Sequence, residues 1–223
     1  MRQRGGSSNP EYRGGMCADF VAALPITGAA VSAFGSSLPE TFVCASDRLA
    51  AHLDELQFDL AEGPRWEAVR TRRPVLVPFL RSDPHTNWPV CGKALLLLDL
   101  QAIFVFPLII GAIDVGVVEL YSTAPDRLEY DDVQIAMALA DKAAWALLHN
   151  VLTWSERPDK VTQVASPLSR REIHQATGMV LAQLESTATE ALLRLRAHAF
   201  LNGQSVRDVA REVVARTLVF TPD

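Results

Sequence analysis

The residues with the most chemistry to offer lie near the C-terminal end. Arg170, Arg171, Gln175, Thr177 and Gly178 fall in the run RREIHQATGMV, and Arg207 and Arg211 follow at i, i+4 in a later helical segment. Arginine presents a planar fork of donors that suits phosphate oxygens and base edges. The glycine is the odd member. Inside a helix it costs about 1 kcal/mol against alanine, and nothing around it reads as a turn. At about 100° per residue, Ile173, Ala176, Val180 and Leu184 cluster on one side of this helix, and Gly178 falls nearly opposite. It shares a stripe with Arg171, Gln175 and Ala182. Such a stripe of small and polar residues leaves backbone open to a phosphate, a base or another chain. Two blander readings stay open at this point. The glycine is a tolerated surface residue, or the arginines form a solvated face partnered by Glu172, Glu190, Asp208 and Glu212.

Elsewhere the sequence is sparse in chemistry. It has no G-x-S-x-G, no H-E-x-x-H, no phosphate-cradling Walker loop and no defensible Cys/His pairing, so the chain is expected not to be an enzyme. Cys17, Cys44 and Cys91 are far apart and form no C-x-x-C pair; the expectation is buried structural thiols in a reducing cytoplasm. His52, His85 and His149 are isolated, which points to surface or core histidines rather than metal ligands. No apolar run reaches the ~20 residues of a membrane span, and the polar opening MRQRGGSSNPEYRGG has no apolar core of a signal peptide. The expected location is therefore cytoplasmic, with no membrane partner.

Charge is distributed unevenly. The net charge is −5, yet from Ser166 onward seven arginines face six acidic residues, a balance of +1 that leaves −6 for the rest. An acidic larger part is followed by a tail that is not acidic, which is compatible with nucleic-acid binding by the tail.

The elements that must position these residues divide into two domains. Residues 1–15 read as a disordered leader. From 16 to 154 the pattern is mixed α and β: strands at 28–34, 41–46 and 74–79, helices at 47–58 and 92–100, and a hairpin of buried strands at 102–110 and 114–121. A long helix over 130–154 is apolar on more than one face, so it is expected to pack on the sheet and on a second subunit. Residues 155–168 are polar with two prolines and read as a linker. Beyond them, Ser169…Glu172, Thr187…Glu190 and Ser205…Asp208 mark three helix starts, and Asn202-Gly203 marks a helix end. The fold class is α+β, with a three-helix bundle over 169–220.

The tail resembles the ANTAR family, the RNA-binding module of bacterial transcription antiterminators. Arg170-x-x-Ile173-x-x-Ala176-x-Gly178, Ala191-x-x-x-Leu195-Arg196-x-x-Ala199 and Asn202…Val209-Ala210 carry the resemblance. Thr177 stands where that family often has lysine, which removes one cation from the stripe. The larger domain resembles a GAF domain, through Leu60-Ala61-Glu62-Gly63-Pro64, Arg70-Thr71, Trp88-Pro89 and Phe106-Pro107-Leu108 followed by Gly111 and Gly116. Many related sequences have cysteine after Glu-Gly-Pro; here it is Arg65, which leaves no thiol for a signal at that point. The span Arg81 to Trp88 reads either as a loop over a pocket or as a plain connection. Together the resemblances imply an RNA-binding antiterminator that acts as a homodimer on tandem RNA stem-loops. They also imply a small-molecule ligand for the GAF-like domain, whose identity, like that of any cofactor, the sequence does not name. On this reading Arg170, Arg171, Gln175, Thr177, Gly178, Arg207 and Arg211 face RNA. Two other classes remain: a DNA-binding regulator using the tail as a helix-turn-helix, and a sensor and dimerisation protein whose tail takes a protein partner.

Overall fold

The run AIFVFPLII and the run DVGVVELY are apolar at nearly every position, as strands covered on both faces must be. In the computed structural model they become β4 (Ala102–Ile110) and β5 (Ile113–Ser122), and all of β5 from Val115 onward is buried. The structure describes residues 15–35, 38–82, 87–125, 127–156 and 170–221. Of the expected leader over 1–15, residues 1–14 lie outside the described residues, as do residues 157–168 of the expected linker over 155–168. Gly15 already opens a helix, and residues 155 and 156 still belong to one. The chain divides into two compact units, 1–166 and 167–223.

In the first unit β5 lies at the centre of a five-stranded antiparallel sheet, ordered β2-β1-β5-β4-β3. The other strands are β1 (Gly28–Gly35), β2 (Leu38–Ala45) and β3 (Val75–Val77). The β4–β5 hairpin turns at Gly111, whose φ of +58° suits glycine. One face of the sheet carries α1 (Gly15–Ala23) and α5 (Tyr130–Glu156). The core there joins Ala29, Val31, Phe104, Phe106, Val118 and Leu120 of the strands to Phe20 of α1 and to Ala136, Ala140, Ala144 and Leu147 of α5. The other face meets α2 (Arg48–Leu60) and α3 (Pro64–Thr71), and α4 (Pro89–Leu95) packs beside α2. Asp47 caps α2 by accepting from the Ala50 N–H at 2.9 Å, and the Tyr121 hydroxyl donates to the same carboxylate at 2.9 Å. One acid thus stops the helix and pins it to β5. Burial and the adjacent Asp47 hold the Tyr121 hydroxyl well above its ordinary range.

Two expectations are corrected here. The helix foreseen at 92–100 starts earlier, at Pro89, and ends at Leu95. A proline is well placed in the first helical turn, because its missing N–H has no helical partner to lose. The cysteines differ too. Cys91 is a free, buried thiol, but Cys17 and Cys44 are joined by a disulfide. A separation of 27 residues hides from the sequence that α1 lies against β2, with the two Cα atoms 6.2 Å apart and so within disulfide reach. The face of α5 away from the sheet leaves Ile135, Met137 and Trp145 exposed, Trp145 at 62%.

The second unit is three helices, α6 (Arg171–Leu184), α7 (Ala188–Asn202) and α8 (Val206–Val214). Ile173, Ala176 and Val180, then Ala191, Leu195 and Ala199, then Val206, Val209, Ala210 and Val213 are all buried. Leu184 and Leu192, expected with them, are half-buried. Thr187 and Glu190 form the reciprocal capping box at α7, and the two hydrogen bonds from Thr187 hold the Glu190 carboxyl below its usual range. Ser205 caps α8. Gly203 closes α7 at φ +63°. At α6 the residue before the first turn is Arg170, with no side-chain cap; Ser169 lies outside the described residues.

Candidate functional site

On α6 the apolar face is spent on the bundle, which leaves the opposite face outward. Arg171, Gln175, Gly178 and Ala182 are exposed along it. A Cβ built on Gly178 meets nothing within 4 Å, so the backbone there is open. Thr177 turns half away and donates its hydroxyl to the Ile173 carbonyl at 2.7 Å, a bond back to its own helix. Arg211 of α8 reaches the first turn of α6, with its Nε 3.3 Å from the Glu172 carboxylate, and also pairs with Asp208 at 3.1 Å. Its side chain is 54% exposed. Such surface pairs are worth about 0–1 kcal/mol, so the guanidinium can leave them for a phosphate at little cost. Arg207, one turn before Arg211, is half-buried.

Arg170 is different. It is only 3% exposed, so in this structure it is buried and lies off the exposed stripe. It stands before the first helical turn, and its carbonyl takes the His174 N–H at 2.9 Å, so its side chain leaves the helix from outside the exposed stripe. The structure therefore brings together Arg171, Gln175 and Gly178 on α6, with Arg211 beside the start of that helix. After α8 the chain folds back. The Phe220 N–H donates to the Gln183 side chain at 3.0 Å, and the Phe220 ring meets His198 edge-on at 5.5 Å.

A second constellation lies inside the first unit. Gly63 adopts φ +128°, a conformation for glycine, and Pro64 then starts α3. This turn sends Arg65 inward, where it is 0% exposed. Its guanidinium pairs with Glu40 of β2 and Asp54 of α2, and lies 3.7 Å from Glu119 of β5. Ser32 of β1 donates to Asp54 at 2.5 Å, and Gln57 of α2 donates to Glu119 at 2.7 Å. The Arg65 N–H donates to the Gln57 side chain at 2.9 Å, and the Trp66 indole donates to the Gln57 carbonyl at 2.6 Å. The rings of Phe34 and Trp66 flank the cation at 6.0 and 5.6 Å. Burial would draw a proton off Arg65, but Glu40, Asp54 and Glu119 outweigh it and hold the group firmly charged. Three elements, β2, α2 and β5, are tied to one side chain of α3. The sequence reading noted Arg65 only for the thiol it lacks. The signal was present in polar residues on an apolar face: Asp54 and Gln57 flanked by Leu53 and Phe58, and Glu119 within VVELY.

Among the described residues no group of three His, Cys, Asp or Glu is placed to hold a metal. His52 and His149 are exposed, and His85 lies outside the described residues, as does most of the loop between Arg81 and Trp88. Trp88 itself is buried and donates to Glu67 at 2.8 Å.

Comparison with known proteins agrees with this architecture. The GAF domain family matches residues 19–148, more than half of the chain, and the ANTAR domain family matches residues 165–214. The chain belongs to the GAF domain family and carries an ANTAR domain behind that module. No curated protein matches the chain. Among solved structures, the photoproduct state of GAF3 from Slr1393 of Synechocystis is similar at 14% identity, over 64% of this chain and 94% of that one, with a TM-score of 0.48. The GAF domain of a two-component sensor histidine kinase from Bacillus halodurans is similar at 15% identity, over 63% and 92%, with a TM-score of 0.46.

Proposed function

We propose that the chain is a signal-responsive transcription antiterminator. The ANTAR domain holds tandem RNA stem-loops, which keeps a terminator hairpin from forming, and the GAF domain sets when it does so in response to a small molecule. It works in the cytoplasm as a homodimer and carries out no catalysis. The family pairing supports a regulator with a sensing module. The observation that carries RNA over other partners is the exposed stripe of Arg171, Gln175 and Gly178, open at the glycine and joined at its start by Arg211. Phosphate neutralisation there needs no rearrangement of the bundle. Among the described residues no helix is long and apolar enough to cross a membrane.

The test is a gel shift of the full chain against tandem stem-loop RNA and matched duplex DNA over a salt series. An RNA complex that weakens steeply with salt is expected. A complex with duplex DNA alone would replace this reading with a helix-turn-helix regulator. Binding to neither at low salt would point to a protein partner, for which α7 exposes Leu193, Phe200 and Leu201 on one side.

Thr177→Lys restores the cation that the ANTAR resemblance leads one to expect. It should tighten RNA binding and steepen the salt slope by about 1, the increment of one added phosphate contact. Its cost is the single hydroxyl bond to Ile173, about 1 kcal/mol. An unchanged slope would place residue 177 away from the RNA.

A further inference from the structure

Cys17 and Cys44 tie α1 to β2 inside the core on the α5 side of the sheet, Cys17 at 0% and Cys44 at 8% exposure. The third cysteine, Cys91, is buried in α4. Burial first, then the charges of Glu62 and Glu119, push its thiol up to about 12. Burial and the raised thiol both disfavour the thiolate that exchange needs. That leaves Cys17 and Cys44 as the pair for thiol–disulfide chemistry.

That pair holds a short element at the start of the described residues. At nine residues α1 is too short to persist as a helix without packing. Besides Cys17 it is anchored by buried Phe20, by half-buried Met16 and Val21 against the same core, by Leu24 just after it, and by an exposed Asp19–Lys142 pair at 2.9 Å. Its seam with α5 is incompletely filled. A shallow, mostly apolar groove of about 200 Å³ runs there, lined by Met16, Phe20, Leu139, Ala143 and Ala146. The helix on the far side of that groove, α5, is the one from which the chain continues toward the ANTAR domain.

We propose that Cys17–Cys44 is a reversible redox site whose state sets how firmly α1 is held on the α5 side of the GAF domain. The reductant is a small thiol. Its thiolate attacks Sγ of Cys44, the more exposed of the two residues, and the S–S bond breaks with its electron pair going to Sγ of Cys17, which takes a proton. A second thiolate attacks the mixed disulfide on the small-molecule sulfur, and Cys44 leaves as a thiolate and takes a proton. The protein sulfurs gain two electrons and two protons, and two small thiols become one small disulfide. The same disulfide reverses the sequence. Reduced, α1 loses its side-chain cross-link to β2, and the Leu139 and Ala143 side of α5 is uncovered more often. The inference stands on the GAF domain alone, and no result of the RNA gel shift bears on it.

The test equilibrates the full chain in buffers of reduced and oxidised dithiothreitol, alkylates free thiols and counts them by mass. Two thiols should appear and disappear together along a two-electron curve, with Cys91 unmodified. Hydrogen exchange at 15–24 should be at least tenfold faster in the reduced chain, with β4 and β5 unchanged. Cys17→Ser and Cys44→Ser should each match the reduced pattern; if either fails to fold, the reduced wild-type chain carries the comparison. A pair that stays reduced at every potential, one that no excess of dithiol opens, or equal exchange of α1 in both states would overturn the proposal.

Discussion

Arg65→Ala is expected to lower the unfolding free energy of the first unit by about 3–5 kcal/mol, the cost of removing one partner from a buried charge cluster. Domains of this size are stable by about 5–15 kcal/mol, so the variant should sit close to unfolding at ordinary temperature. The reason is the company Arg65 keeps. Glu40, Asp54 and Glu119 come from β2, α2 and β5, all turned toward one cation. Without it, three carboxylates share an interior with Ser32 and Gln57 as nearby donors. The side chain itself is 0% exposed, so its truncation also leaves a void. Arg65→Lys keeps the charge but loses the fork that serves Asp54 and Glu40 at once, and should fall between wild type and Arg65→Ala. Every tryptophan of the chain precedes residue 167, so urea unfolding followed by tryptophan fluorescence reads the first unit alone. A loss under 1 kcal/mol for Arg65→Ala would mean that water reaches the cluster, and that it is not what joins the sheet to α2 and α3.

This arginine also marks where sequence reading reached its limit. The α+β class, the buried hairpin and the three tail helices were legible because each rests on local signals: apolar period, caps at Thr187 and Ser205, a glycine stop at 203. Such signals act within a few residues. The Arg65 cluster instead joins positions 40, 54, 65 and 119, and the disulfide joins 17 to 44. Both are properties of which strand lies beside which, and no local period encodes that order. The two short helices that were missed, α1 and α3, have weak periodicity of their own; α1 is defined by what it packs on. The stripe on α6 was legible for the opposite reason. Its face follows from 3.6 residues per turn and the three buried positions Ile173, Ala176 and Val180. Arg170 escaped that logic because it precedes the first turn, where helical geometry no longer says which way a side chain points.

Two glycines put the same distinction to a quantitative test. In sequence, Gly116 and Gly178 look alike, each a glycine inside a regular element. In the structure, Gly116 sits in the central strand opposite Ala33 of β1 and Leu108 of β4. A Cβ there would overlap the Ser32 carbonyl oxygen and lie 3.1 Å from the Ala33 Cα. Both are backbone atoms of the adjacent strand, so no side chain can swing aside to relieve the overlap. Gly116→Ala must push β1 from β5, and the displaced Ser32 is the residue that donates to Asp54 beside Arg65. Overpacking of this kind costs about 3 kcal/mol, the upper end of its usual range, because the strain falls on the sheet's own ladder. At Gly178 the added methyl meets nothing, and a helix interior gains up to about 1 kcal/mol from the exchange. Gly178→Ala should therefore hold or raise the thermal stability of the tail, read by its helical circular dichroism, while it weakens RNA binding by filling the approach to the backbone. The substitutions should thus move stability in opposite directions, and only the one in the tail should touch RNA. A sharp loss of stability at Gly178→Ala would place that glycine in a packed contact and remove the open stripe as the candidate interface. Full RNA affinity in a stable Gly178→Ala chain would leave the arginines as the interface and the glycine as a bystander.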